Sequence, residues 1–294
     1  MNRRAFIVER PLQIMISLAI SNQLDNECGV DFLVADCFHD AENIYNRLST
    51  EFKDRFSFRY FATYKNAVDH CSTHSYSEVF IHWDIGFGTN IRLKRLLAKS
   101  PETSISVYEE GMGTYADYRY PALKKWIFNS LGLPVNNGGN RLTKNIYVYH
   151  PAEYQKNVTR PAPIIEKIKT SLPELISQFS RELCEAFDPD DFLTELRTQH
   201  TEKCVIYLSN WSFENHHLLG VKASQATRIL KLHPYVKTEF TPTNGFLVAP
   251  NSLPAEILIT RASEIFQSVE VIHQGSSVMR YIHRPNVEYR RASA

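Results

Sequence analysis

The run AFIVERPLQIMISLAISNQLDNECGVDFLVAD, residues 5–36, decides the architecture. AFIVE (5–9) and VDFLVAD (30–36) are short, apolar and rich in residues that favour strands. Between them, PLQIMISLAISNQL opens with Pro11 at a favoured first-turn position, and its apolar residues run almost continuously around the helix, so the helix is expected to be buried. Strand, helix and strand in this order form a βαβ unit of a parallel sheet. Two arginines before an apolar run give the N-terminus a superficial likeness to a secretion leader. Glu9, Arg10, Pro11 and Gln13 interrupt that run, so it is read as strand plus helix.

The same rhythm continues outward. FSFRYFAT (56–63), EVFIHWD (78–84), SISVYEE (104–110) and NIYVYH (145–150) are further strand candidates in the first half. After His150 the pattern gives way to the polar stretch AEYQKNVTRPAP, which places a boundary between residues 1–155 and 156–294. SLPELISQFSRELCEAF then reads as a connecting helix, with Ser171 and Glu174 spaced as a capping box and Leu172, Leu175, Ile176, Phe179 and Leu183 on one face. KCVIYLSN (203–210), ATRILKLHPYV (226–236), GFLVAP (245–250), PAEILITRASEIF (254–266), VEVIH (269–273) and GSSVMRYIH (275–283) repeat the βαβ rhythm. Within them ATRILKL is read as a helix stopped by Pro234. The expected fold is α/β, with two Rossmann-like domains facing each other across a cleft.

Composition narrows the function. The 294 residues carry 33 Lys and Arg against 32 Asp and Glu, so nothing in the net charge of +1 favours nucleic acid as a partner. The five cysteines are scattered and never form a CxxC pair, which fits a reducing, cytoplasmic setting and argues against zinc. No run approaches the roughly 18 apolar residues of a membrane span, leaving peripheral contact as the form of membrane association to consider. Neither a G-x-x-x-x-G-K-[ST] loop nor a G-x-S-x-G elbow occurs.

Ligands of such sheets bind at the carboxyl ends of strands, which directs attention to the loops there. Glu109 and Glu110 end SISVY, and Gly111 and Gly113 let the following backbone turn sharply or approach a ligand. Two adjacent carboxylates at a desolvated edge raise each other's proton affinity and can serve as a general base; the alternative is a solvated acidic loop. Trp83 and Asp84, followed by Gly86 and Gly88, end EVFIH and either line the cleft or shape a turn. In the second half, His233 can donate to a phosphate with Lys231 as helper, or be a turn histidine without a ligand. Gly275, Ser276 and Ser277 open a helix after VEVIH, where serine caps and free amides also suit an anion. Glu256 at the start of LPAEILI serves the helix dipole or holds a ribose diol. His216 and His217 have no acidic or cysteine partner at ligand spacing, so no metal site is expected. His150-Pro151 is read as structural and Arg290-Arg291 as a solvated tail able to touch anionic lipid.

An acidic-acidic-Gly triplet, a His-Pro and a Ser-Ser pair in this order are the motif set of bacterial sialyltransferases. The chain resembles glycosyltransferase family 52 and, more distantly, the bacterial polysialyltransferases. FIVERPLQIMISLAI, EEGMGTY, KLHP and LPAEILI carry the resemblance across nearly the whole chain. It implies a GT-B fold and inverting, metal-independent transfer of sialic acid from CMP-sialic acid, the donor substrate, to a hydroxyl of a bacterial surface glycan, with no cofactor. By the family pattern Glu110 is the general base and His233 contacts the departing phosphate. Ser276 and Ser277 match the phosphate-holding pair, and Glu256 the residue on the ribose. The Glu-Glu-Gly triplet is closer to the polysialyltransferase form than to the Asp-containing variants. Two other readings stand beside this one. The first is a GT-B transferase of another donor, such as a related nonulosonic acid, Kdo or a polymer phosphate. The second is a noncatalytic nucleotide- or glycan-binding protein.

Overall fold

A computed structural model describes residues 3–24, 28–116, 121–131, 133–158, 162, 164–188, 190–209, 226–233 and 246–292. The chain divides into two compact units, Met1–Cys37 with Leu48–Ser171, and Phe38–Arg47 with Leu172–Ala294.

The first unit is built on a seven-stranded sheet of order β3-β2-β1-β4-β5-β6-β7, every pair parallel. The strands are β1 (Arg3–Val8), β2 (Gly29–Ala35), β3 (Ser57–Phe61), β4 (Glu78–Ile81), β5 (Ser104–Tyr108), β6 (Thr143–Val148) and β7 (Ile164–Lys167). The helices α1 (Pro11–Gln23), α2 (Ala41–Glu51), α3 (Tyr64–Cys71), α4 (Phe87–Lys99), α5 (Ala122–Ser130) and α6 (Pro151–Asn157) alternate with them in chain order, although most of α2 falls in the second unit. Helix α1 is buried from Ile14 through Ser21, as its all-round apolar sequence requires. Parallel register sets Phe6 beside both Phe32 and Phe80, and Phe32 beside Phe58. Their rings stack in a ladder over four strands, with centroids 5.6, 4.1 and 4.9 Å apart. Such pairs each add about 0.5–1.5 kcal/mol beyond the area they bury. The chain order reverses between β1 and β4, which makes their carboxyl ends the switch point of this sheet.

The second unit holds α7 (Leu172–Gln178), α8 (Ser180–Phe187) and α9 (Phe192–Arg197), then β8 (Lys203–Leu208), β9 (Ala226–Lys231), β10 (Leu247–Ala249), α10 (Ala255–Ile265), β11 (Ser268–His273) and β12 (Val287–Arg291). Its sheet, order β10-β9-β8-β11-β12, is again parallel throughout, with a switch point between β8 and β11. Val205, Tyr207, Leu230, Leu232 and Ile272 pack into one core cluster.

Four sequence expectations are corrected here. ATRILKL is strand β9, hydrogen-bonded between β8 and β10, because a short apolar run is decided by its tertiary neighbours. The connecting helix is two helices broken at Phe179 (φ −108°, ψ 35°). The polar stretch after His150, read as the boundary, begins with α6 and is followed directly by the edge strand β7. Arg290 and Arg291 belong to edge strand β12 rather than to a free tail, and Arg290 Nε pairs with Glu270 Oε1 at 2.7 Å. His216, His217 and Pro234 lie outside the described residues.

Candidate active site

Three neighbouring strands of the first unit deliver charged side chains from their carboxyl ends. Glu9 and Arg10 follow β1, His82 follows β4, and Glu110 follows β5. Glu110 Oε1 lies 2.5 Å from Arg10 Nη1, and its Oε2 lies 3.6 Å from His82 Nε2. The same His82 nitrogen stands 3.0 Å from Glu9 Oε2. The imidazole is buried and packs edge-on to Tyr64. Glu9 Oε1 accepts from the Cys37 thiol at 3.0 Å, and the Glu9 amide donates to Gln13 Oε1 at 2.6 Å.

Burial alone would raise the Glu9 carboxyl. The His82 hydrogen bond and charge, the Cys37 thiol and Arg10 outweigh it and hold Glu9 below the usual carboxylate range. Cys37 is pushed up to about 12 by burial and by Glu9, so it remains a neutral donor. The cluster therefore combines an ionised half-buried carboxylate, an imidazole shared between two carboxylates, and a second carboxylate paired with a cation at the sheet's switch point.

The two glutamates of the triplet do different things. Glu109 is 0% exposed: its Oε2 accepts from the Tyr115 hydroxyl and from the Tyr149 amide at 2.8 Å. Tyr115 in turn accepts from the His150 amide at 3.1 Å. Glu109 is thus a tie between the ends of β5 and β6 and the start of α6, not a cleft-lining residue. The two carboxylates meet different partners, Glu109 the Tyr115 hydroxyl and Tyr149 amide and Glu110 the side chains of Arg10 and His82, so the pair does not act as one acidic dyad. Gly111 makes the sharp exit, with φ 97°, a value that favours glycine.

Asp84 is corrected in the same way. It is fully buried and accepts from the Gly138 amide (2.9 Å), the Asn140 amide (3.1 Å) and the Thr143 hydroxyl (2.8 Å). Burial raises it to about 6 against these three bonds, and it clamps the loop before β6. Trp83 is partly exposed beside it. Gly86 carries the positive φ at the start of α4.

In the second unit the residues singled out by sequence sit at the carboxyl ends of β9 and β11 and in the first turn of α10, which follows β10. The His233 amide donates to Ser209 Oγ at 2.9 Å, tying the exits of β9 and β8 together. Lys231 is buried and donates from Nζ to the carbonyls of Leu232 (3.1 Å), Pro250 (3.1 Å) and Asn251 (3.4 Å). Burial lowers its ammonium to about 7 against the attraction of Glu256, and burial raises Glu256. Lys231 therefore anchors the loop that leads into α10, where Glu256 occupies the first turn. After β11, His273 Nδ1 accepts from the amides of Gly275 (3.0 Å) and Ser276 (3.3 Å). Burial and Arg291 lower the His273 imidazole, which suits an acceptor nitrogen. Gly275 has φ 99°, and Ser276 caps the 3₁₀ turn Ser277–Arg280 by accepting from the Val278 amide at 3.3 Å. Among the described residues no group of three or more His, Cys, Asp or Glu side chains is placed to hold a metal ion.

Glu9, Arg10, His82 and His273 escaped the sequence reading. Each sits at or just past the carboxyl end of a strand, the same signal that selected Glu110; Glu9, Arg10 and His82 have no glycine beside them to draw notice, and His273 was passed over for the Gly275-Ser276-Ser277 run that follows it.

The sequence matches the family model described as "Alpha-2,8-polysialyltransferase (POLYST)" over residues 38–274. No curated protein matches the chain significantly. Among solved structures, it is similar to a protein of Listeria monocytogenes described as a UDP-N-acetylglucosamine 2-epimerase. The TM-score is 0.52 at 10% identity, covering 94% of this chain and 75% of that one. Weaker likenesses are to the wall teichoic acid polymerase TagF with CDPG (TM-score 0.43, 10% identity, 91% of this chain, 70% of that one) and to the glycosyltransferase SnogD from Streptomyces nogalater (0.35, 11%, 94% and 79%). Two parallel-sheet α/β domains and the first of these likenesses give the GT-B fold. Of the two families whose motif order the sequence resembles, the more distant one is matched, over most of its length: the chain belongs to the alpha-2,8-polysialyltransferase family and is a glycosyltransferase.

Proposed function

We propose that this protein is an inverting, metal-independent sialyltransferase that moves sialic acid from CMP-sialic acid to a hydroxyl of a bacterial surface glycan such as lipopolysaccharide, O-antigen or capsule. Glu110 accepts the proton of the attacking hydroxyl as its oxygen bonds to the anomeric carbon. The bond from that carbon to the phosphate oxygen breaks, and CMP departs with the electron pair. His233 contacts the departing phosphate, Ser276 and Ser277 hold it, and Glu256 binds the cytidine ribose. Lys231 supports this cluster from beneath through its three carbonyl contacts.

The observation that carries the reading is the setting of Glu110. It is the member of the triplet whose carboxylate meets Arg10 and His82 at the switch-point edge, whereas Glu109 is consumed by structural bonds. Sialyl transfer passes through an oxocarbenium-like state, so catalysis consists of activating one hydroxyl and neutralising charge on the leaving phosphate. A positioned base contributes roughly 10²–10⁴-fold, and donors aimed at developing charge add to it. Because CMP leaves as a phosphate, the reaction as proposed asks for no metal-held diphosphate.

The test is a donor panel. The protein is incubated with a mixture of galactoside and oligosialoside acceptors and, separately, CMP-sialic acid, CMP-Kdo, CDP-glycerol or a UDP-hexose, and nucleotide release and product mass are followed. Acceptor-dependent CMP release and a sialic acid mass increment with CMP-sialic acid alone are expected. Turnover with another donor and none with CMP-sialic acid would replace the reading with the other-donor alternative. Nucleotide binding without turnover of any donor would leave the noncatalytic one.

A further inference from the structure

Helix α5 exposes an apolar face that nothing among the described residues of its own unit covers. Leu123 is 69% exposed, Trp126 67%, Ile127 40% and Leu131, one residue past the helix end, 61%. Positions i, i+3, i+4 and i+8 fall on one side of an α-helix, so the four side chains form one stripe. Isolated apolar residues on a surface are ordinary, but a contiguous stripe containing tryptophan marks an interaction site. Lys124 flanks the stripe, with Nζ 5.4 Å from the Phe128 ring centroid, and Lys125 lies on the far side of the helix.

The sequence surrounding this stripe is one-sided in charge. From Tyr118 to Ala152 it contains no Asp or Glu, yet it contains Arg119, Lys124, Lys125, Arg141 and Lys144. In a chain whose net charge is +1, the segment that carries the exposed tryptophan and leucine is thus positive along its sequence. We infer that α5 is a membrane-docking helix, which lies in the headgroup region of an anionic bilayer with Leu123, Trp126, Ile127 and Leu131 inserted and Lys124 on lipid phosphate.

The pattern selects this occupant over others. Interfacial helices combine an apolar face containing tryptophan or leucine with lysines that reach back to the headgroups. A soluble polyanion would use the lysines but find nothing to bind in Leu123, Ile127 and Leu131. A second copy of the chain would bring the same lysine face to face with itself across a symmetric contact, with like charges repelling.

The experiment is co-sedimentation of the full chain with phosphatidylcholine vesicles, with and without phosphatidylglycerol. Wild type is compared with Leu123→Ser/Trp126→Ser and with Lys124→Gln. Wild type should pellet with the anionic vesicles only. Lys124→Gln should weaken binding about 5-fold at low salt, at about 1 kcal/mol per charge. The apolar pair should weaken it on the order of 10²-fold, with thermal stability unchanged in both because the residues are exposed. Wild type staying in the supernatant, or equal binding by the apolar variant, would overturn the inference. So would dextran sulfate binding that follows Lys124 while vesicle binding ignores Leu123 and Trp126. Dissociation of an oligomer by the apolar substitutions, seen by sedimentation velocity, would assign the stripe to a second copy instead.

Discussion

Glu109→Leu and Glu110→Gln separate the structural carboxylate from the reactive one, although the residues are adjacent. Glu109 is buried and accepts from Tyr115 Oη and Tyr149 N. Leucine keeps similar bulk and strands both donors. At about 1–3 kcal/mol for each buried unsatisfied group the loss is about 2–6 kcal/mol. For a unit of this size that lowers Tm by about 5–20 °C. Glu110 is different: its partner Arg10 has a side chain 45% exposed. Solvent screening limits that pair to about 0–1 kcal/mol, so Glu110→Gln should move Tm by no more than about 3 °C. Its turnover should fall by about 10²–10⁴-fold with loss of the proton acceptor. Glu109→Leu, assayed well below its Tm, should retain turnover within about an order of magnitude because it touches no reacting atom. The measurements are scanning calorimetry and CMP release on the same preparations. A Glu110→Gln protein that melts as early as Glu109→Leu yet turns over normally would refute the division of labour.

Three more predictions follow from the same geometry. His82→Asn removes the imidazole that meets Glu9 and Glu110, and turnover should fall about 10²-fold through misplaced carboxylates, with CMP affinity, measured by calorimetry, unchanged. Asp84 is held at about 6 in the folded chain against 3.8 in an open one, so the folded state binds the extra proton between those values and stability declines as pH rises from 4 to 6. The decline amounts to about 3 kcal/mol; Asp84→Asn should flatten it in urea midpoints measured at each pH, and an unchanged slope would contradict the assignment. Gly138 has φ 76°, and a Cβ there would come within 2.5 Å of Tyr154 Oη and 2.6 Å of Ile146 Cδ1, whereas Gly86, φ 103°, has open space. Gly86→Ala should cost about 1–2 kcal/mol from backbone strain alone and Gly138→Ala a further 1–3 kcal/mol or so from overpacking, read as the difference between their unfolding midpoints.

The parallel sheets were legible because each of the first six strands lies in a bounded apolar run and α1 is apolar on every side. The helix–strand confusion at ATRILKL has a physical origin. Seven residues with apolar positions at Ile229, Leu230 and Leu232 satisfy either period, and only pairing with β8 and β10 decides between them. The strand Val287–Arg291 was missed because Glu288, Arg290 and Arg291 give an exposed edge the look of a tail. At the site, Glu110 was legible from its glycine neighbours. The fates of Glu109 and Asp84 were not, since their partners Tyr149, Gly138, Asn140 and Thr143 lie about 40–60 residues away in sequence. Lys231 likewise reads as a free phosphate ligand until the Pro250 and Asn251 carbonyls are placed beside it.

The most direct measurement is single-turnover transfer from CMP-sialic acid to an oligosialoside, followed by mass spectrometry for wild type and Glu110→Gln, with CMP affinity determined on both proteins. The account predicts equal CMP affinity and a sialylated product that forms at least about 10²-fold more slowly in the variant. Equal rates of product formation would contradict it.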